Sequence, residues 1–250
     1  MFWMIAVMAT ISTVFGVIAV QHWRHTQTPW WKGLGLHLDR WTWIDLGIGI
    51  LISALVMVGI FVAEWSIGAL TVEGFRPVGM DFWTELAKRM GSAFREELLF
   101  RSLMLSGLVI ALRRRWLALG IMAVLFGVAH ATNPSASVFS VAGNALDGLL
   151  YGVAFLWSGR IWLPLGLHFA WNFFQGPVLG FPVSGFDMGG LIQQYPVGSD
   201  LLTGGSYGPE AGIMGRVAWL IAFALVLAWL AMRQRSKLVP NRGVEGVLPL

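Results

Sequence analysis

Long apolar runs broken by short polar clusters dominate the chain, with little strict alternation of the kind a half-buried strand shows. The first run, Met1 to Gln21, carries no charge, and it lacks a basic leader and a small-residue cleavage site, so it predicts an uncleaved helix rather than a signal peptide. A second run covers about Trp43 to Trp65, and a mixed segment broken by Arg76-Pro77 follows. From Asp81 to Leu112 the pattern predicts one long helix. Its first third, with Asp81, Glu85, Lys88 and Arg89, is amphipathic and suits an interface, and its remainder is apolar up to Arg113, Arg114 and Arg115. Three more runs span Trp116 to Ala131, Ser137 to Trp157 and Ile161 to about Phe181. A Gly- and Pro-rich stretch without Lys or Arg occupies 181–210 and is read as a plain linker, and a last run covers about Ala211 to Met232. A bilayer crossing needs roughly 20 apolar residues. The predicted fold is therefore all-α: a polytopic transmembrane helix bundle of about seven membrane segments plus an amphipathic interfacial helix.

Composition sharpens this picture. Of 250 residues, 56% are hydrophobic and only 12% charged, which excludes a disordered tail, a coiled coil and an ordinary soluble enzyme. There is no cysteine, hence no thiol nucleophile and no thiolate metal ligand. The net charge of +4 fits positive-inside anchoring better than nucleic-acid binding, and no nucleic-acid partner is expected. If alternate loops face the cytoplasm, Arg24, Lys32, Arg40, the 113–115 triplet, Arg160 and the tail with Arg233, Arg235, Lys237 and Arg242 fall on one side, opposed by Arg76. That predicts an integral protein of a bacterial-type plasma membrane, N-terminus out and basic C-terminal tail cytoplasmic. The chain divides as 1–80, two helices and a loop; 81–180, a helical core; and 181–250, an extramembrane loop, last helix and tail, all within one membrane domain. Gly148/Gly152 and Gly176/Gly180 have the spacing of close helix packing.

Ionisable groups are expensive inside a membrane and mark function by default. Three clusters stand out. In Arg95-Glu96-Glu97-Leu98-Leu99-Phe100-Arg101, Glu97 and Arg101 share a helix face and can pair, and Glu96, about 100° away, is left for another partner. Phe126 to His130 places a lone imidazole in its span, and His168 and Asn172 lie on one face of a third helix. Measured from the flanking arginines, Glu96 and His130 lie at about 22–26 Å and His168 and Asn172 at about 12 and 18 Å, so groups from three helices can meet in one pocket. Structural ion pairing or interhelical hydrogen bonding would also use such residues.

A buried glutamate beside an imidazole can take a proton from water, while a second histidine and an amide N–H stabilise an oxyanion: the parts of peptide-bond hydrolysis. Glu96, His130 and His168 are equally the candidate ligands of a metal such as Zn2+, and the residues alone do not choose between the two. Other patterns are missing. No HExxH helix occurs, and Gly204-Gly205-Ser206-Tyr207-Gly208, formally a nucleophile elbow, has no preceding strand and reads as a turn.

The ordered trio Glu96-Glu97…Arg101, Phe126…His130 and His168…Asn172 resembles the motif set EExxxR, FxxxH, HxxxN/D of the CPBP family of intramembrane proteases, also known as the CAAX protease or bacteriocin-processing Abi family. The resemblance covers about residues 80–180. It implies that Glu96 and His130 activate water, that His168 and Asn172 form the oxyanion site, that Glu97 and Arg101 orient the helix and that Phe126 packs nearby. It also implies a peptide or membrane-protein substrate, lipidated in CAAX-type processing, reached among membrane lipids. A non-catalytic immunity or scaffold protein, or a proton-relay transporter, could be built on the same charges; no inverted repeat supports the transporter. The predicted topology puts Glu96 and His130 nearer the outer face, whereas a CAAX-type site is expected to open to the cytosol.

Overall fold

A computed structural model describes residues 2–235; Lys237 and Arg242 of the basic tail lie outside the described residues. The helices in chain order are α1 (Phe2–His25), the single turn α2 (Trp30–Gly33), α3 (Arg40–Ser66), α4 (Met80–Glu97), α5 (Ser106–Leu112), α6 (Arg115–Ala129), α7 (Val138–Ser158), α8 (Trp162–Phe173), the turn α9 (Asp200–Thr203) and α10 (Ile213–Arg235). Two π-helical segments, Leu98–Leu105 and Phe174–Val178, follow α4 and α8. The all-α bundle is as expected. Among the described residues α3, α7 and α10 are long and apolar enough to cross a membrane, and α6 is a shorter apolar helix. The long helix predicted over Asp81–Leu112 is a composite of α4, a π segment and α5, and the run from Ile161 is α8 plus its π turn.

Helix starts follow local chemistry. Asp39 Oδ1 accepts from Trp41 N at 2.8 Å and Thr42 Oγ1 accepts from Asp39 N at 3.1 Å, a capping box that opens α3. Ser137 and Ser140 do the same for α7. Packing then depends on glycines that let backbones approach. A Cβ on Gly49 would lie 2.6 Å from Leu163 O, and one on Gly166 2.3 Å from Leu46 O, which locks α3 against α8. A Cβ on Gly127 would lie 2.4 Å from Val141 O, and Gly148 and Gly152 close onto Ala123, Phe126 and Leu119, so α6 and α7 interlock and the expected small-residue packing at 148/152 is present. Outward faces stay apolar, with Leu51, Leu55, Val62 and Trp65 exposed on α3, as contact with lipid tails requires.

Two expectations need correction. The mixed segment after α3 and the supposed linker pair with each other: β1 (Leu70–Phe75) and β2 (Ile192–Pro196) form an antiparallel ribbon from Leu70 opposite Pro196 to Phe75 opposite Ile192, with a register shift between Val72 and Gly74. Strands of six and five residues, interrupted by Gly74 and ended by Pro196, carry too little alternation to be seen in the sequence. The rest of 181–210 includes the turn α9 and 3-10 turns at Gly205–Tyr207 and Pro209–Ala211. Arg160, counted among loop charges, is buried; its two Nη atoms donate to Asp39 Oδ1 and Oδ2 at 2.6 and 2.5 Å. It is a tether between the α7–α8 turn and the start of α3, and therefore a poor marker of the membrane face from which His168 was measured.

Candidate active site

Glu96 and Glu97 are the last residues of α4, immediately before the π segment that contains Arg101. A π turn widens the helix and is frequent at functional sites. Glu97 is fully buried and forms an ion pair with its expected partner, Oε2 lying 3.2 Å from Arg101 Nε. The guanidinium also donates through Nη2 to Gly148 O at 3.5 Å and lies 4.3 Å over the Phe126 ring and 5.2 Å over Tyr151. The pair is enclosed in aromatic rings, so both charges are committed to structure. Glu96 differs: its side chain keeps 22% of its exposure, Ser92 Oγ donates to its Oε1 at 3.1 Å, and Arg95 Nη2 is 3.7 Å from the same oxygen.

Both imidazoles are anchored through Nδ1. His130, which caps α6, donates from Nδ1 to Phe126 O at 2.8 Å, since a carbonyl can only accept; its Nε2 is then the lone-pair nitrogen of the neutral ring. His168, on α8, donates from Nδ1 to Glu97 Oε1 at 2.8 Å and sets Nε2 3.8 Å from Glu96 Oε2. The Tyr151 ring stacks on His168 at 5.0 Å, and Phe126 stands between the two histidines, 4.8 Å from one ring centre and 6.0 Å from the other. Phe126 thus packs at the middle of the site. Of the two histidines, the one directly against Glu96 is His168.

Glu96, Phe126, His130, His168 and Asn172 all line one cavity of about 680 Å³. Its volume falls in the range of sites for peptide-sized or smaller ligands. Glu97 and Arg101 lie behind this wall and act on it through His168 and Phe126. Chain reading missed other lining residues. Asn144, Asp147 and Tyr151 present one face of α7, and Ser184 and Glu210 come from the presumed linker. Asp147 was visible in principle, as the one acid of its apolar run, by the rule that singled out Glu96. Glu210 gave no such signal, because its stretch looked solvated. It is buried and accepts from Gln175 Nε2 at 2.7 Å, Ser184 N at 3.2 Å and Ser184 Oγ at 3.3 Å. Burial pushes its carboxyl up to about 7, and the nearby Asp147 carboxylate adds to the rise while its hydrogen bonds oppose it. Ser206, by contrast, is exposed in the turn 205–207 and forms no part of this cavity.

Among the described residues, no group of three histidine or acidic side chains is placed to hold a metal ion. Glu96, His130 and His168 share a wall without closing into a ligand set.

Residues 80–174 match the family described as Type II CAAX prenyl endopeptidase Rce1-like, from the first residue of α4 to the residue after α8, a stretch that includes all three motifs. The match agrees with the resemblance to CPBP intramembrane proteases, and the family implies a protease acting on a peptide or protein substrate at a membrane. No curated protein and no solved structure matches the chain.

Proposed function

With an Rce1-like segment as its premise, we propose that this chain is an intramembrane endopeptidase that hydrolyses a peptide bond near the membrane surface through a glutamate-activated water. The observation that carries the reading is the convergence of Glu96 from α4, His130 from the end of α6 and His168 from α8 on one cavity. Glu96 Oε2 takes a proton from a water whose second hydrogen is held by the His130 Nε2 lone pair. The hydroxide oxygen bonds to the scissile carbonyl carbon, and the carbonyl π pair moves onto its oxygen. The Asn172 amide and, in the doubly protonated ring whose Nδ1–H is held by Glu97, Nε2–H of His168 donate to that oxyanion. On collapse the C=O bond re-forms, the C–N bond breaks, and the proton on Glu96 passes to the departing nitrogen, giving a carboxyl and an amine terminus. Glu97 and Arg101 hold His168 in its ring orientation, a positioning role. The substrate class supported by the family is a peptide or membrane protein, and a C-terminally prenylated one is the first to test.

The test uses purified protein in liposomes with a farnesylated CAAX peptide and its unprenylated twin. Glu96→Gln keeps the shape of the side chain and removes the base. Turnover of the cleaved peptide is expected to fall by a factor on the order of 10²–10⁴ with an unchanged unfolding temperature. Wild-type rates in a folded Glu96→Gln protein would overturn the proposal.

A further inference from the structure

One side chain on the α7 wall is packed like core and yet ends in a donor that no protein group receives. Tyr151 is 3% exposed, and its ring is held on several sides. The His168 ring stacks on it at 5.0 Å and 12°, the Arg101 guanidinium lies 5.2 Å from its centre, and Phe126 meets it edge-on at 6.3 Å. Its hydroxyl makes no hydrogen bond among the described residues, and Oη is not one of the buried polar atoms that lack a partner, so this oxygen keeps open surface. The space that Tyr151 lines is the cavity it shares with Glu96, His168 and Asn172. Its polar neighbours on the same helix face are occupied otherwise. Asn144 Nδ2 donates to Ser140 O and to Tyr207 Oη, both at 2.8 Å. Asp147, one turn before Tyr151, has the Arg216 guanidinium as its main countercharge. A tyrosine hydroxyl in packed surroundings usually finds a partner, and here the acceptor has to come from what enters the cavity.

The proposed hydrolysis is short of a donor at this place. His168 Nδ1–H is held by Glu97 Oε1 at 2.8 Å, so in the neutral ring Nε2 carries a lone pair and cannot donate. Until the ring takes a second proton, the Asn172 amide is the one donor left among the groups assigned to the oxyanion. A phenol is a donor whichever form the imidazole takes, because it ordinarily keeps its proton up to about pH 10. Stacking fixes Tyr151 against His168, and Arg101 holds the ring from another side. The hydroxyl is therefore set before any substrate arrives, as electrostatic stabilisation of a transition state requires.

We propose that Tyr151 is a catalytic hydrogen-bond donor: its Oη–H joins the Asn172 amide on the oxygen of the carbonyl under attack. The inference rests on the endopeptidase reading and adds to it a residue from outside the three motifs. The proton stays on Oη throughout. Its bond to the oxygen shortens as the carbonyl π pair becomes a full negative charge and relaxes when the C=O bond re-forms, so the contribution falls on the transition state rather than on substrate binding.

The experiment compares wild type, Tyr151→Phe and Glu96→Gln in liposomes with the farnesylated peptide and its unprenylated twin. Tyr151→Phe keeps the ring that stacks on His168 and removes the hydroxyl alone. Its kcat is expected to fall by a factor of about 10–10², with KM within about twofold of wild type and an unchanged unfolding temperature. A wild-type kcat in Tyr151→Phe, or a raised KM at an unchanged kcat, overturns the proposal. A second measurement decides if that variant fails to fold: difluorotyrosine installed at 151 keeps the shape of the side chain but ionises at lower pH. Its kcat is expected to drop at an alkaline pH at which the wild type still turns over, since a phenolate cannot donate, and an unshifted alkaline limb overturns the proposal. The two readings fail differently. Cleavage by wild type and not by Glu96→Gln, with Tyr151→Phe at full rate, removes the role of Tyr151 and leaves the endopeptidase standing. Absence of turnover by the wild type on every peptide removes both.

Discussion

Glu96 and Glu97 are neighbours in sequence with opposite fates. Glu97 is sealed against Arg101 and His168, whereas Glu96 keeps access to the cavity. That division was legible from the chain, because two residues about 100° apart on a helix cannot both face one arginine. The part played by Glu210 was not legible, because only tertiary contact with Gln175 and Ser184 makes it a buried acid. Its folded-state carboxyl titrates near 7 against an ordinary 4.5. A raised acid stabilises the fold fully below the lower value and loses that contribution as pH climbs through the upper one, here about 3 kcal/mol in all. Unfolding temperature in detergent is therefore expected to decline between about pH 4.5 and about pH 7 in the wild type. In Glu210→Gln this part of the slope disappears, which a pH series of melting curves checks.

At the scale of elements, the three motif-bearing stretches were legible as separate helices because each is a long apolar run carrying few polar residues, Glu97/Arg101 and His168/Asn172 at i, i+4 and His130 alone. The π segment after Glu97 was not, since α and π windings share the same apolar pattern over eight residues. Nor was β1–β2, whose strands are short and separated by more than a hundred residues. The α6–α7 contact shows how finely the site is set. Gly127, three residues before His130, leaves no room for a methyl group beside the Val141 carbonyl. Gly127→Ala must open the two helices, at a cost of about 1–3 kcal/mol. A lowered melting temperature together with a reduced cleavage rate is the expected pair of readouts.

The whole bundle is closed by ion pairs at the end away from β1–β2, one of them fully buried. Asp45 of α3 accepts from Trp229 Nε1 at 3.3 Å and pairs with Arg233 at 3.0 Å, while Arg160 holds Asp39. Removing one member of a buried pair strands the other, at about 3–5 kcal/mol. Asp45→Ala is expected to lower thermal stability by that order, and the double variant Asp45→Ala/Arg233→Met to regain much of it; a null effect of the single variant in melting experiments would show that the pair does not fasten α10. These partners lie far apart in sequence, and hydrophobic patterning alone matched neither pair.

The cavity draws its walls from two sources. Glu96, His130, His168 and Asn172 fall inside the stretch shared with the Rce1-like family, whereas Ser12 and Thr13 on one side, and Val183, Ser184, Phe186 and Glu210 on the other, come from sequence outside it. On the proposed reading, the groups assigned to hydrolysis all lie inside the shared stretch, while part of the wall that would meet a substrate lies outside it. On that reading, exchange of the flanking tracts is expected to change which peptides are accepted more than the rate at which the bond is broken.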